Sequence, residues 1–201
     1  YLTVVLKERI GKYLGKTIQV IPHITDEIKR RIKNAANRIN PDVLLVEIGG
    51  TVGDIEVMPF LEALRQFRLE LGKSNIALVH VTLVPFLDTV GQLKTKPTQH
   101  SVKTLQSLGL QPDIIIGRSD RELPDDIKEK ISLFCNVPKE AVISDPNLET
   151  IYELPLIFEK QGLGNLLCEL LNLPNKKPNK ETLNEWNFLV KKFKEPNEVL
   201  N

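Results

Sequence analysis

Three carboxylates surround a short glycine-rich segment near residue 50. Glu47 interrupts an apolar run near its carboxyl end, three glycines lie within residues 49–53, and Asp54 and Glu56 follow. Glycines let the backbone turn sharply or approach a ligand closely, and carboxylate oxygens suit a hard divalent cation or sugar hydroxyls. A purely structural alternative stays open, in which Asp54 caps a helix, Glu56 occupies its first turn and Glu47 is salt-bridged.

A basic segment over residues 91–100 is a second candidate site. Residues 89–111 contain no acid, whereas Lys94, Lys96 and Lys103 all carry positive charge. Thr98 is predicted to open a helix, and the free amides at a helix start can help to hold an anion. Several cations and donors in one loop suit a triphosphate. A solvated basic loop without any ligand fits the same pattern.

Arg118 is a third candidate because it stands at the predicted end of a strand. A guanidinium in that place can stack on a base or pair with a phosphate. An ordinary surface loop is equally compatible with residues 117–121. Lys130, in the middle of a predicted helix beside Glu129, fits a surface lysine by its pattern alone.

Other suggestive patterns are interpreted as structural. Residues 11–17 look like a phosphate-binding P-loop, but only three residues separate the glycines where that motif has four. A strand is also predicted after them rather than before them, so we interpret the segment as a turn feeding a strand. The three histidines share no metal-ligand spacing, and His80 fits a core histidine. Cys135 and Cys168 lie in apolar surroundings and are interpreted as structural.

Continuous apolar runs provide the strands that must position these candidates. Such runs are typical of strands covered on both faces. They cover residues 42–48, 76–84, 113–117 and 141–144, with a weaker run at 17–22.

Helical patterns lie between these runs. Thr25 is the predicted N-cap of the first helix, whose apolar stripe comprises Ile28, Ile32, Ala35 and Ile39. Further helices are predicted over about 55–71, 98–108 and 124–134, with Gly72 as a C-cap and Pro124 in a first turn. Strands that alternate with helices predict an α/β fold, with a mostly parallel sheet flanked by helices. Ligands bind such sheets at the carboxyl ends of the strands. The segments 47–54, 85–97 and 118–123 are therefore the places to expect a site.

Composition excludes several classes of protein. The chain has 201 residues, of which 41% are hydrophobic and 26% charged, and its formal net charge is +1. These proportions are ordinary for a soluble globular protein, and the charge balance implies no nucleic-acid partner. No apolar run approaches the roughly 20 residues of a membrane span. Two cysteines make no disulfide scaffold, so a reducing, cytoplasmic setting is expected.

At the candidate residues the sequence closely resembles the CTP synthase family, in the latter part of its ATP-dependent amidoligase domain. The resemblance is carried by long ungapped stretches and spans nearly the whole chain. The stretches are residues 13–25, 47–56, 94–101, 116–119 and 128–135. The resemblance implies a P-loop NTPase fold of the dethiobiotin synthetase-like type, incomplete at its N-terminus.

The resemblance also implies a reaction. The family uses ATP and Mg²⁺ to phosphorylate the 4-oxygen of UTP, and ammonia from glutamine then displaces the phosphate to give CTP. Glu47 would be a ligand of the metal, and Lys94 and Lys96 would be catalytic. The pyrimidine nucleotide, either UTP or CTP, would contact Asp54, Ile55, Glu56, Lys94, Thr95, Lys96, Pro97, Thr98, Gln99 and Lys130. ATP would lie near Arg118, Pro146, Asn147 and Leu148.

Family members also carry parts that this sequence lacks. Their P-loop would lie upstream of Tyr1, and a glutaminase domain would follow Asn201. We therefore expect a partial amidoligase domain over residues 1–174 and a linker helix over residues 175–201. The resemblance further implies a homotetramer with nucleotide partners and no membrane partner. A non-catalytic relative that binds nucleotides or assembles oligomers is the alternative. A dehydrogenase-like domain is a weaker one, because this sequence lacks the Gly-x-Gly-x-x-Gly fingerprint of such domains.

Overall fold

The computed structural model describes residues 1–174 and 178–195. The chain divides into two compact units, Tyr1–Gly72 with Thr104–Leu110, and Lys73–Lys103 with Gln111–Asn201. The helices are Leu2–Arg9 (α1), Thr25–Ile39 (α2), Met58–Leu71 (α3), Lys96–Ser107 (α4), Asp125–Cys135 (α5), Leu154–Lys160 (α6), Leu163–Leu170 (α7) and Lys180–Lys194 (α8). The strands are Val79–Leu83 (β1), Phe86–Leu87 (β2), Gln92–Leu93 (β3), Ile114–Arg118 (β4) and Val142–Asp145 (β5). Within the described ranges, every helix is too short or too polar to cross a bilayer.

A three-stranded parallel sheet forms the centre of the second unit. Its strand order is β1-β4-β5, and β4 pairs with β1 at Val81 and with β5 at Ile143, both through Ile116. Three of the predicted strands and the α/β class are thus confirmed. Because all three strands run in the same direction, their carboxyl ends meet at one edge of the sheet. The loops that follow them begin at Val84, Ser119 and Pro146.

The middle strand supplies most of the core of this unit. Ile114 and Ile115 of β4 are fully buried, and Ile143 of β5 is 1% exposed. Ile131 and Cys135 of α5 are equally inaccessible and belong to the same cluster. Burial raises the pKa of the Cys135 thiol to about 11, so this thiol stays protonated at neutral pH, as a structural cysteine should.

In the first unit, ion pairs from Lys29 and Lys33 to Glu70 join α2 to α3. Thr25 is the first helical residue rather than the predicted N-cap, because the preceding Ile24 already has helical dihedral angles and takes the N-cap position. Its hydroxyl instead donates to the carbonyl of Pro22 at 3.0 Å. The predicted apolar stripe is only half covered, since Ile28 and Ile32 are partly buried and Ala35 and Ile39 are exposed.

Two predicted strands are wrong. Residues 42–48 are irregular, and their side chains are open to solvent, with Leu45 94% exposed. Residues 17–19 are irregular too, and Val20–Ile24 forms a short π-helical segment. A strand obtains its backbone hydrogen bonds from a neighbour, and none of the described residues pairs with either segment. An apolar run supplies the tendency to form a strand but not the partner.

The helix ends agree with the predicted signals to within one residue, whereas three further starts differ. Helix α4 begins at Lys96 and not at the predicted Thr98, which lies in its first turn. Gly72 is the C-cap of α3 as expected, with a φ of +83°. Pro124 is the N-cap of α5 rather than a first-turn residue. The helix predicted from residue 55 begins only at Met58. Helix α8 lies inside the predicted linker, although residues 175–177 and 196–201 fall outside the described residues, so the domain boundary stays a prediction.

Candidate functional site

The basic segment follows β1 through a short hairpin. Strands β2 and β3 pair antiparallel, and the backbone amide of Lys94 donates to the carbonyl of Pro85 at 2.8 Å. Lys94 is half-buried and donates to the side chain of Gln92 at 3.0 Å, whereas Lys96 is exposed at the start of α4. The hairpin therefore delivers both ammonium groups to the edge of the sheet where the strands end.

The segment has a buried side as well as an exposed one. Thr95, Thr98 and Gln99 are at most 3% exposed. The side-chain amide of Gln99 donates to the hydroxyl of Thr95 at 3.0 Å, and its backbone amide donates to the Thr95 carbonyl at the same distance. Lys96 and Pro97 lie on the exposed side. The three inward side chains hold the segment in place, while the lysines remain accessible to an anion.

Lys130 lies on the helix that faces this segment. The ammonium of Lys96 is 5.9 Å from the ring centre of Phe134 on α5. Phe134 lies four residues after Lys130, and residues at that spacing share one face of a helix. Lys130 is exposed on that face. The structure therefore brings Lys96 close to the helix face that carries Lys130, although the two are 34 residues apart in sequence.

Arg118 and the segment after β5 are in direct contact. The guanidinium donates to the side-chain oxygen of Asn147 at 2.7 Å and to the carbonyl of Asp145 at 3.1 Å. Burial raises the pKa of the Asp145 carboxyl, and the Arg118 charge opposes that shift. Pro146 and Leu148 on either side of Asn147 are partly buried. These four predicted ATP-site positions are thus brought together, because β4 and β5 are neighbours in the sheet.

The glycine-rich segment of the first unit presents its three carboxylates to solvent. Gly50 and Gly53 have φ values of +93° and +107°, and the amide of Asp54 closes a turn onto the carbonyl of Thr51 at 3.0 Å. Asp54, Ile55 and Glu56 are all exposed on this turn.

The structural alternative for these carboxylates is wrong. Helix α3 begins at Met58 with Val57 as its N-cap, so Asp54 and Glu56 lie ahead of the helix and neither cap it nor occupy its first turn. Glu47 does not lie in a buried strand but in an exposed loop. In the part of the chain that the structure describes, no ion pair reaches it.

Glu47 fits a magnesium ion as a single ligand only. Residues 1–174 and 178–195 contain no group of three His, Cys, Asp or Glu side chains that could hold a metal. Mg²⁺ commonly takes one or two carboxylates and completes its shell with water and phosphate oxygens. An exposed carboxylate is suitable chemistry for that arrangement, in which a bound nucleotide supplies the remaining ligands.

His80 is a core histidine as predicted, but the contacts that Arg121, His80 and Thr82 make in the second unit were not predicted from the sequence. The guanidinium of Arg121 lies 3.3 Å from the ring centre of Phe86 and links the loop after β4 to the hairpin. His80 and Thr82 on β1 make hydrogen bonds to α4. A local signal exists for the hydrogen bonds of His80 and Thr82, since polar residues two apart in an apolar strand share one face of the sheet. The contact between Arg121 and Phe86 is a tertiary contact with no local signal.

Comparison with known proteins places the chain in a family. Residues 1–173 match the family model described as CTP synthase N-terminus. The chain belongs to the CTP synthase family. A CTP synthase of Pyrococcus abyssi is 59% identical over 194 residues, which cover 96% of this chain and 35% of that protein. A CTP synthase of Symbiobacterium thermophilum is 55% identical over 197 residues, covering 98% of this chain and 36% of that protein.

The family match agrees with the P-loop-type α/β fold that the resemblance implied. A CTP synthase of a Synechococcus strain is 54% identical over 198 residues. The chain spans about a third of the length of these relatives. The roles of the individual site residues stay predictions.

Proposed function

We propose that the native protein containing this chain is a ligase of pyrimidine nucleotide synthesis that aminates UTP to CTP. The observation that carries the proposal is 54–59% identity to proteins named CTP synthase across almost the whole chain. ATP would phosphorylate the 4-oxygen of UTP, and ammonia would then displace that phosphate. The products are CTP, ADP and inorganic phosphate.

The cationic loops give the described residues a binding role in this reaction. Each nucleotide triphosphate carries several negative charges, which fixed cations must offset when phosphoryl groups are transferred. Lys94, Lys96 and Lys130 would bind the triphosphate of UTP, or of CTP acting as an inhibitor. Lys94 and Lys96 would also act in catalysis. Thr95, Pro97, Thr98 and Gln99 would shape the same segment around the phosphates, so that their contribution is partly through backbone groups.

The ATP side of the proposal rests on the contact between two loops. Arg118 and Asn147 are already hydrogen-bonded, and with Pro146 and Leu148 they would adjoin ATP. Asp54, Ile55 and Glu56 would contact the pyrimidine nucleotide from their exposed turn. Glu47 would hold Mg²⁺, which supplies positive charge at the phosphates. A glutaminase domain would deliver the ammonia, and a homotetramer would be the working assembly.

The test is an amination assay on the native protein with UTP, ATP and MgCl₂. CTP formation is followed by chromatography with either glutamine or ammonium chloride as the nitrogen source. We expect CTP in both cases and none when ATP is omitted. Failure with ammonium chloride would contradict the proposal, because that nitrogen source needs no glutaminase activity. Nucleotide binding without amination would instead favour a non-catalytic binding or oligomerisation module.

A further inference from the structure

Strand β1 and helix α4 meet through polar side chains inside the apolar core of the second unit. His80 and Thr82 are two residues apart on the strand, share one face of the sheet, and are 9% and 7% exposed. Thr98 and Ser101 are three residues apart on α4 and share one helix face. The ring nitrogen Nε2 of His80 lies 2.8 Å from the Ser101 hydroxyl, and the hydroxyls of Thr82 and Thr98 lie 2.5 Å apart.

The direction of the threonine pair follows from a third contact. The hydroxyl of Thr98 lies 3.1 Å from the carbonyl of Leu83, which can only accept. A hydroxyl has one proton to donate. Thr98 therefore donates to Leu83 and accepts from Thr82, which makes a directed chain from the strand to the helix and back to the strand.

Such a chain fixes the rotation of the helix as well as its position. Apolar side chains would bury the same surface in several rotational settings, whereas a buried hydroxyl left without its partner carries a desolvation penalty. Successive residues are about 100° apart around an α-helix. A rotation of that size would therefore turn Thr98 away from the strand and change the direction in which Lys96 points. Lys96 is the first residue of α4 and lies two residues before Thr98, and Lys94 lies two residues before the helix begins.

We propose that His80 and Thr82 are positioning residues, which hold the first turn of α4 so that Lys94 and Lys96 present their ammonium groups together to the triphosphate of UTP. The inference rests on the proposed function, from which the ligand class is taken. Both side chains are buried beneath the segment, so they act through Thr98 and Ser101 and not by touching the nucleotide. The guanidinium of the ATP-side residue Arg118 makes hydrogen bonds to Asp145 and Asn147, and not to the side chains that join β1 to α4.

The test uses Thr82→Val and Thr82→Ser in the native protein. Valine removes the hydroxyl with little change of shape, and serine keeps it. We expect Thr82→Val to weaken equilibrium binding of UTP and to raise its KM about tenfold, as the loss of one buried hydrogen bond allows. The affinity for ATP should be unchanged, and Thr82→Ser should restore most of the UTP affinity. A merely structural role would lower both affinities together with the thermal midpoint.

A second pair of variants covers the case in which Thr82→Val does not fold. Ser101→Ala removes the partner of His80, and Ser107→Ala is its matched control on the same helix. The hydroxyl of Ser107 donates to the carbonyl of Thr104 within α4. We expect weaker UTP binding for Ser101→Ala only.

The outcomes distinguish the positioning role from the proposed function. Unchanged UTP binding in Thr82→Val and Ser101→Ala, or equal losses for UTP and ATP, would overturn the positioning role. A wild-type protein that binds UTP without aminating it would overturn the proposed function. The positioning role would then still be decided by UTP binding to the variants. A wild-type protein that does not bind UTP would overturn both.

Discussion

At the scale of residues, Lys96 is the site residue whose surroundings most favour contact with a ligand. Its ammonium is exposed beside the ring of Phe134, and the residues around it in the sequence, Thr95, Thr98 and Gln99, are turned inward. An exposed cation on a firmly held backbone is suited to binding an anion, since little conformational entropy is lost when the ligand arrives.

Replacing this cation gives the first prediction. We expect Lys96→Ala to weaken UTP or CTP binding by about tenfold to a hundredfold, the value of one charge-assisted hydrogen bond. The salt dependence of binding should become shallower, because one counter-charge is lost. Isothermal titration across a salt series measures both effects. Lys103→Ala, two turns later on α4, is the matched control and should bind normally; an unchanged affinity in Lys96→Ala at every salt concentration would contradict the assignment.

Two adjacent glycines give a second prediction at the residue scale. A Cβ at Gly50 would lie 2.5 Å from a methyl of Val57, and its φ of +93° is strained for other residues. A Cβ at Gly49 would meet nothing within 4 Å. We expect Gly50→Ala to lower the free energy of unfolding by about 1–3 kcal/mol. Gly49→Ala should change it by less than about 0.5 kcal/mol. Urea unfolding measures both variants, and equal effects would contradict the described turn.

At the scale of elements, an ion-pair network links α1 to α2. Glu27 is 7% exposed and accepts from Arg30, Lys7 and Arg31. The hydrogen bond from Arg30 is the main reason that the pKa of Glu27 lies far below its ordinary value of 4.5, with Lys7 and Arg31 adding to the effect. Lys7 belongs to α1, so the buried carboxylate joins that helix to α2, beside a hydrogen bond from Arg31 to Thr3.

The sign of the pKa shift fixes the pH dependence of this link. The folded state holds the proton of Glu27 less tightly than the unfolded chain, so the stabilisation is complete above about pH 4.5 and is lost as the pH falls further. We expect Glu27→Gln to lower the free energy of unfolding near neutral pH by about 1–3 kcal/mol. The difference from wild type should shrink in acid.

Urea unfolding at a series of pH values tests this prediction. Glu185→Gln, an exposed change on α8, is the control and should alter the free energy of unfolding by less than about 0.5 kcal/mol. A difference between Glu27→Gln and wild type that stays constant down to strongly acidic pH would mean that the lost charge is not its cause.

At the scale of the whole molecule, the proposed nucleotide binding depends on local charge and not on net charge. The chain has 27 basic and 26 acidic residues, so its net charge of +1 exerts little long-range attraction on a polyanion. The segment from Thr89 to Gln111 contains no acid, so no carboxylate within it offsets the charges of its lysines. We expect a nucleotide to be recognised there by its phosphates.

The phosphates give a prediction for the intact protein. We expect UTP at about 100 times its dissociation constant to stabilise the native protein by about 2.7 kcal/mol, because it binds only the folded state. Uridine at the same concentration should have little effect, since it has no phosphates for Lys94 and Lys96. Thermal unfolding measures both ligands. A similar midpoint with uridine and UTP would mean that the base and not the triphosphate dominates binding.

The sequence by itself determined the family, the α/β class and the three strands β1, β4 and β5. The strands could be predicted because continuous apolar runs are a local property of the sequence. The family could be identified because the stretches around Lys94, Arg118 and Lys130 are distinctive in sequence alone. The carboxyl-end rule also located two of the three candidate loops of the second unit, because it needs only strand order and direction.

Only the tertiary structure decided which runs became strands and which side chains met. The run at 42–48 is apolar like β4, yet a strand depends on a hydrogen-bonded neighbour that composition cannot reveal. The contacts between His80 and Ser101, and between Arg121 and Phe86, join residues that are 21 and 35 positions apart. Long-range pairing of this kind is a property of packing, and so the buried side of the lysine segment could be described only once the fold was known.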